Sequence, residues 1–168
     1  MVKNRLVVEN GMEVVIDSRE QTPLPFKEGK IVTKVTTQKL DVGDYSISGY
    51  EHKIAFERKS LLDLYGTLGK GHARFKNELE RAKNHDYFAI LIIGSFSSTI
   101  NKDFDGSHHS KMQGHVIIKI LYTLKFRYGV DVIFSNGPLE AMRIIKSIFT
   151  AYLNENGTGT KKTICSST

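Results

Sequence analysis

The sequence predicts an α/β fold, a central mixed β-sheet flanked by helices, and three observations carry that reading. Tyr87–Ile93 (YFAILII) is apolar at every position, as in a strand buried on both faces, and Val130–Phe134 is a second buried run. A hairpin pattern runs through DVGDYSISGYEHKIAFERK. Several strands are then followed by helix, strand, helix, strand, helix, the order of helices packed on a mixed sheet.

The elements follow from local chemistry. Met12–Asp17 (MEVVID) is a short apolar run that ends in an acid. SREQTPLPF carries two prolines and reads as loop. Ile31–Leu40 is rich in Val, Ile and Thr and reads as a strand. The hairpin turns around Ser48–Glu51. Ser60 opens a first helix, and a second runs from about Ala73 to His85. Gly94–Ser110 is a polar loop. Lys111–Tyr128 is a helix, apolar around most of its girth, ended by Gly129. Pro138 suits a first helical turn, and Leu139–Leu153 is the last helix. These elements form one domain, residues 1–154. Residues 155–168 have no periodicity and are expected to be a disordered tail.

Composition narrows the function. The 168 residues carry a net charge of +6 and a pI near 9.3, with 40% hydrophobic residues. That suits a packed domain with an anionic partner such as nucleic acid; ribosome-sized polyanions and acidic membranes fit as well. No apolar run approaches a membrane span, and the first residues lack a signal-peptide core. The single cysteine, Cys165, makes no internal disulfide and excludes a Cys-rich zinc site, so an intracellular setting is expected (cytoplasm of a prokaryote or infected cell, or a nucleus).

The segment Ile54–Leu64 (IAFERKSLLDL) holds the chemistry. Alternation puts Ile54, Phe56 and Arg58 on one strand face and Ala55, Glu57 and Lys59 on the other. A turn centred on Tyr50 and Glu51 sets Ser46 opposite Ala55 and Asp44 opposite Glu57. Two carboxylates about 4.5–5.5 Å apart at Cβ repel unless a cation lies between them. Mg²⁺, which takes one or two protein carboxylates plus water and phosphate, fits that need.

Gly43-Asp44, then Glu57-Arg58-Lys59, with Asp63 after three further residues, resembles the active-site motif of the XPF family of structure-specific DNA endonucleases. Asp17-Ser18-Arg19-Glu20 is similar to that family's Asp-x-Arg-Glu segment. The resemblance is clear from about Val14 to Ile93 and looser to about Leu153. It implies a restriction-endonuclease-like nuclease fold and an Mg²⁺-dependent endodeoxyribonuclease, with Mn²⁺ able to substitute. Cleavage is expected near branches, flaps, forks or junctions, in DNA repair or recombination. By the same resemblance Asp44 and Glu57 are metal ligands, with Glu20 a third carboxylate in or near the shell. Lys59 orients or activates water, or offsets charge on the phosphate. Arg58 and Arg19 contact phosphate or fix the carboxylates, and Asp17 and Asp63 complete the cluster. Lys70 and Arg74 would grip DNA, although the family's adjacent Gly-Arg pair is here Gly71 and Arg74.

Structural readings stand beside these. Ser60 to Asp63 is also a capping-box-like helix start. Arg58 also suits an ion pair with Asp17 or Glu20, Asp44 a turn acid, and Glu57 with Lys59 a solvated sheet face. GTLGKGHARF lacks the ending of a nucleotide-binding loop and reads as a flexible basic connection. His108-His109 reads as an exposed pair. A non-catalytic DNA-binding or dimerisation partner of the same fold, or a junction resolvase, remains an alternative function. The resemblance also implies a homodimer through the C-terminal half, along Ile117, Ile120, Leu121 and Leu124 and along Ala141, Ile144, Ile148 and Tyr152. Relatives carry a tandem helix-hairpin-helix module, and some a helicase domain. With neither pattern here, branch recognition is expected from the domain itself, a dimer, or a separate partner.

Overall fold

The computed structural model describes residues 11–69 and 71–156. The N-terminal segment, Lys70, Cys165 and the expected tail beyond residue 156 lie outside these. Six strands form one sheet in the order β2-β1-β3-β4-β5-β6. They are β1 (Met12–Asp17), β2 (Val32–Gln38), β3 (Tyr45–Ile47), β4 (Ile54–Ser60), β5 (Tyr87–Ile93) and β6 (Asp131–Ser135). β3 pairs antiparallel with β1 and β4, while β1–β2, β4–β5 and β5–β6 are parallel. The sheet is therefore mixed, as the strand and helix order predicts.

The hairpin register is the one the sequence suggests: Ser46 pairs with Ala55 and Tyr45 with Phe56. Helices α1 (Leu61–Gly69), α2 (His72–Ala82) and α4 (Gly114–Tyr128) cover one face, where Ala55, Ile90 and Ile92 meet Leu64, Leu79, Ile117 and Leu121. Helix α5 (Pro138–Asn156) covers the other face, packing Ala141, Ile145 and Phe149 against Ile54, Phe56, Ala89 and Leu91. Both faces of β5 are thus buried, which is why its sequence shows no alternation.

Several expectations change. The segment Gly94–Ser110 is not all loop: it holds α3 (Phe96–Asn101), capped by the Ser95 hydroxyl on the Ser98 amide at 2.9 Å, and a 3-10 turn at Ser107–His109. Six residues without an apolar stripe leave no periodic signal, and Thr99 is its only buried residue. The connection Gly66–Phe75 is mostly helical, with Leu68 buried at the end of α1. Helix α5 continues through Asn156, so the expected tail begins inside it. Gly129, at φ 71°, ends α4 in the left-handed conformation expected of it. Among the described residues no helix is long and apolar enough to cross a membrane.

Candidate active site

Three central strands deliver the motif: the end of β1, the residue before β3, and the second half of β4. Their backbones are tied together at Asp44. Its amide donates to the Phe56 carbonyl at 2.7 Å, and its carbonyl accepts the Asp17 amide at 2.8 Å. Its carboxylate accepts the Arg58 amide at 2.7 Å. This fixes Asp44 beside Glu57 through the backbone.

β-Alternation divides the charged run. Glu57 and Lys59 face the α2 side, where Lys59 Nζ contacts the Glu57 carboxylate and sits 5.2 Å from the Phe75 ring centroid. Arg58 turns to the other face and forms a two-pronged ion pair with Glu20, at 2.8 and 2.9 Å. Glu20 also accepts the Thr22 amide at 2.8 Å and the Tyr45 hydroxyl at 3.4 Å. Of the roles open to Arg58, its observed contact is the fixing of a carboxylate, and Glu20, expected in or near a metal shell, is the carboxylate it fixes. Asp63 does not join the acids either. It accepts the Ser60 hydroxyl at 2.6 Å and donates its amide back to it at 3.1 Å, capping α1.

Asp17 is 1% exposed and fully bonded. It accepts Arg19 Nε and Nη2 at 2.7 and 2.9 Å, and the amides of Arg19 and Leu40 at 2.7 Å each. Of the two roles open to Arg19, its observed contact is the fixing of a carboxylate, and its side chain reaches the surface. His108 and His109 are exposed, as expected.

What remains opens on a cleft of about 560 Å³. Asp17, Arg19, Gly43, Asp44, Glu57 and Lys59 line one wall, together with Asp41, and Arg74, Asn77, Glu78 and Arg81 line the other. Of the residues expected to bind DNA, Arg19 and Arg74 are on it, and Lys70 is outside the described residues. The sequence reading missed Asn77, Glu78 and Arg81. Their signal was available: counted from Arg74 they fall at i+3, i+4 and i+7, one face of α2. Without a motif to anchor it, such a stripe reads as an ordinary solvated helix face.

Electrostatics distinguish the two acids from their neighbours. Burial, with the Glu20 and Glu78 carboxylates nearby, pushes Asp44 up to about 6 against the pull of the Arg58 amide and Lys59. Burial and Asp44 raise Glu57 well above the ordinary range. Burial alone would lower Lys59, but Glu57 outweighs it and holds the ammonium charged. Asp17 and Glu20 move the other way: burial opposes ionisation, yet hydrogen bonds from Arg19 and Arg58 lower them. Two carboxylates that resist ionisation together are a donor set that a divalent cation relieves. Among the described residues no three acidic, histidine or cysteine side chains already stand together as a metal cage. The Asp44–Glu57 pair is hard and all-oxygen, and fits an ion that keeps water and takes phosphate as further ligands.

The comparisons bear on this arrangement. The ERCC4 domain profile matches residues 16–148. Among solved structures, "XPF from Aeropyrum pernix" superposes with a TM-score of 0.65 at 21% identity, covering 89% of this chain and 65% of that one. "XPF from Aeropyrum pernix, complex with DNA" gives 0.60 at 19% identity, covering 89% and 68%. The chain thus spans about two thirds of the length of these relatives. No curated protein sequence matches it. The shared fold is the restriction-endonuclease-like arrangement of a mixed six-stranded sheet between helices. The profile begins in β1 and ends in α5, so it takes in the three strand ends, both cleft walls and the helices behind them: the chain belongs to the ERCC4 domain family.

Proposed function

We propose that this chain is an Mg²⁺-dependent, structure-specific DNA endonuclease. The observation that carries the reading is the pairing of half-buried Asp44 with buried Glu57, Lys59 against it, on a cleft whose opposite wall bears Arg74 and Arg81. Asp44 and Glu57 would hold the cation, with Mn²⁺ able to take the place of Mg²⁺. When bound, the cation supplies Lewis-acid polarisation of the scissile phosphate and acidifies water. Lys59, kept charged by Glu57, orients the attacking water or offsets charge gathering on the phosphate. Arg74 and Arg81 engage neighbouring phosphates. Arg58 and Asp17 keep the strand ends in place from behind.

Phosphate contacts give affinity without sequence readout, and binding should weaken steeply with salt. A nuclease of that kind is restrained by shape, because a junction is already flexible whereas bending intact duplex costs on the order of 1–6 kcal/mol. Labelled forks, flaps, four-way junctions and linear duplex, each with and without Mg²⁺, test this. Cleavage is expected only with the cation, within a few nucleotides of a single-strand/double-strand boundary. Changing Lys70 and Arg74 together to Ala should abolish binding. Equal rates on duplex and forks at moderate salt would leave only a general nuclease. Binding without cleavage in either metal would favour the non-catalytic partner.

We further propose a homodimer through the C-terminal half, with part of its surface beyond the stripes picked by periodicity, in which Ile120, Ile144, Ile148 and Tyr152 stay half-buried. Ile117, Leu121, Leu124 and Ala141 are spent on the chain's own core. Several apolar side chains left in solvent lie on α4 and α3, the helices beside the edge strand β6. Phe126 is 84% exposed and Tyr122 42%, on the helix that Lys125 ties to Asp131. Phe96, 43% exposed, meets Phe134 of β6 edge-to-face. Sedimentation should give a dimer mass at tens of micromolar, and Phe126→Glu should give a monomer. A monomeric parent protein at that concentration rules the dimer out. A helix-hairpin-helix or helicase protein acting in trans would supply further recognition.

A further inference from the structure

Helix α2 places on the cleft wall one carboxylate to which the motif assigns no part. Glu78 Oε1 accepts the Gly43 amide at 3.1 Å, across 35 residues of sequence. Gly43 has φ +75°, and a Cβ there would lie 2.8 Å from the Phe56 carbonyl oxygen. Only glycine fits, so the corner has no side chain of its own to fix it. The next residue is Asp44, whose own amide is already committed to Phe56. Glu78 is therefore a tie on this corner from the opposite wall of the cleft.

We propose that Glu78 is a positioning residue: it clamps the Gly43 amide, and so fixes how Asp44 presents its carboxylate beside Glu57 to a divalent cation. This rests on the nuclease reading above. The role needs an acceptor and not a charge. A glutamine carbonyl should serve in its place, and an alanine should not. A direct ligand would need the charge, and glutamine would fail there.

The test compares the parent with Glu78→Ala, Glu78→Gln and Asp44→Asn. Mn²⁺ affinity by paramagnetic resonance, cleavage kinetics and the Gly43 amide NMR shift are the readouts. Residues that orient metal ligands typically carry about 10–100-fold in affinity or activity. Glu78→Ala should weaken Mn²⁺ binding by at least about tenfold on that scale and lower kcat. The KM for DNA should hardly change, and the Gly43 amide resonance should move. Glu78→Gln should recover most of each loss. If Glu78→Ala unfolds, Glu78→Met keeps the bulk and helix propensity without the acceptor. An alanine variant that binds Mn²⁺ and cleaves like the parent overturns the clamp. A glutamine variant as poor as alanine overturns it in favour of direct ligation. If Asp44→Asn also binds Mn²⁺ unchanged, the nuclease reading falls and the clamp with it.

Discussion

Glu57→Gln is expected to reduce Mg²⁺-dependent cleavage by about two to four orders of magnitude, the scale on which removing one catalytic group acts. The pH dependence of the chain's stability should change with it. Both effects have one cause. Burial, with the Glu20 and Glu78 carboxylates nearby, pushes Asp44 up to about 6 from an ordinary 3.8, and burial with Asp44 raises Glu57. A carboxyl raised in the folded state binds its proton more tightly there than in the unfolded chain. Its contribution therefore favours folding at low pH and is lost as pH rises from 3.8 through about 6. Without metal, the melting temperature should rise as pH falls from neutrality toward 5. At still lower pH the trend should reverse, as Asp17 and Glu20, held below their ordinary values, become protonated. Mg²⁺ at neutral pH should raise it again by binding the folded state. Glu57→Gln and Asp44→Asn should flatten the neutral arm and blunt the Mg²⁺ shift. Lys59→Ala should abolish cleavage while leaving most metal binding intact. A Glu57→Gln protein that cuts as fast as the parent removes the assignment, whatever its melting behaviour.

Arg58→Ala is expected to lower stability by on the order of 3 kcal/mol, because it leaves a desolvated carboxylate without its partner. The Glu20 side chain is 4% exposed and the Arg58 side chain 15%, and the pair closes over Tyr45 on the α5 face of the sheet. The two-pronged geometry ties β4 to the loop after β1, so loss of the pair loosens the platform beneath Asp44. Changing both residues together to apolar side chains of similar bulk should cost far less than Arg58→Ala alone, since no orphaned charge remains. Urea unfolding of the two single variants and the double variant measures the coupling. If Arg58→Ala instead melts with the parent and loses only DNA affinity, the residue reaches phosphate and the ion pair is incidental.

The motif itself was readable because it is local. Glu57, Arg58 and Lys59 are adjacent, and the strand period alone sends Arg58 to one face and its two neighbours to the other. The turn at Tyr50 fixed the register that sets Asp44 against Glu57, because a slip of one residue would have moved Tyr45 and Phe56 out of the core. The helices α4 and α5 and the strands β5 and β6 were equally visible, since their apolar faces are long. The sequence could not tell which charges share a partner. Glu20, Asp17 and Asp63 all looked like members of one acidic cluster. Glu20 and Asp17 were assigned by contacts that depend on chain path, Glu20 by Arg58 and Asp17 by the Leu40 amide as well as Arg19, whereas the local cap on α1 that takes Asp63 was one of the two readings its spacing offered. Periodicity likewise showed that Ile117 and Leu121 are apolar, but not that their own sheet would bury them and leave Phe126 outside. The second wall of the cleft was hidden for the same reason. Arg74, Glu78 and Arg81 form a stripe any surface helix might carry, and only the packing of α2 through Phe75 and Leu79 turns that stripe toward Asp44. Sequence by itself determined the strands, their faces and the chemistry at one strand end, because these depend on neighbours a few residues away. Tertiary structure decided which carboxylates stand in the cleft without an arginine partner, because that depends on cations and amides brought from up to 38 residues away, and burial makes each such pairing decisive.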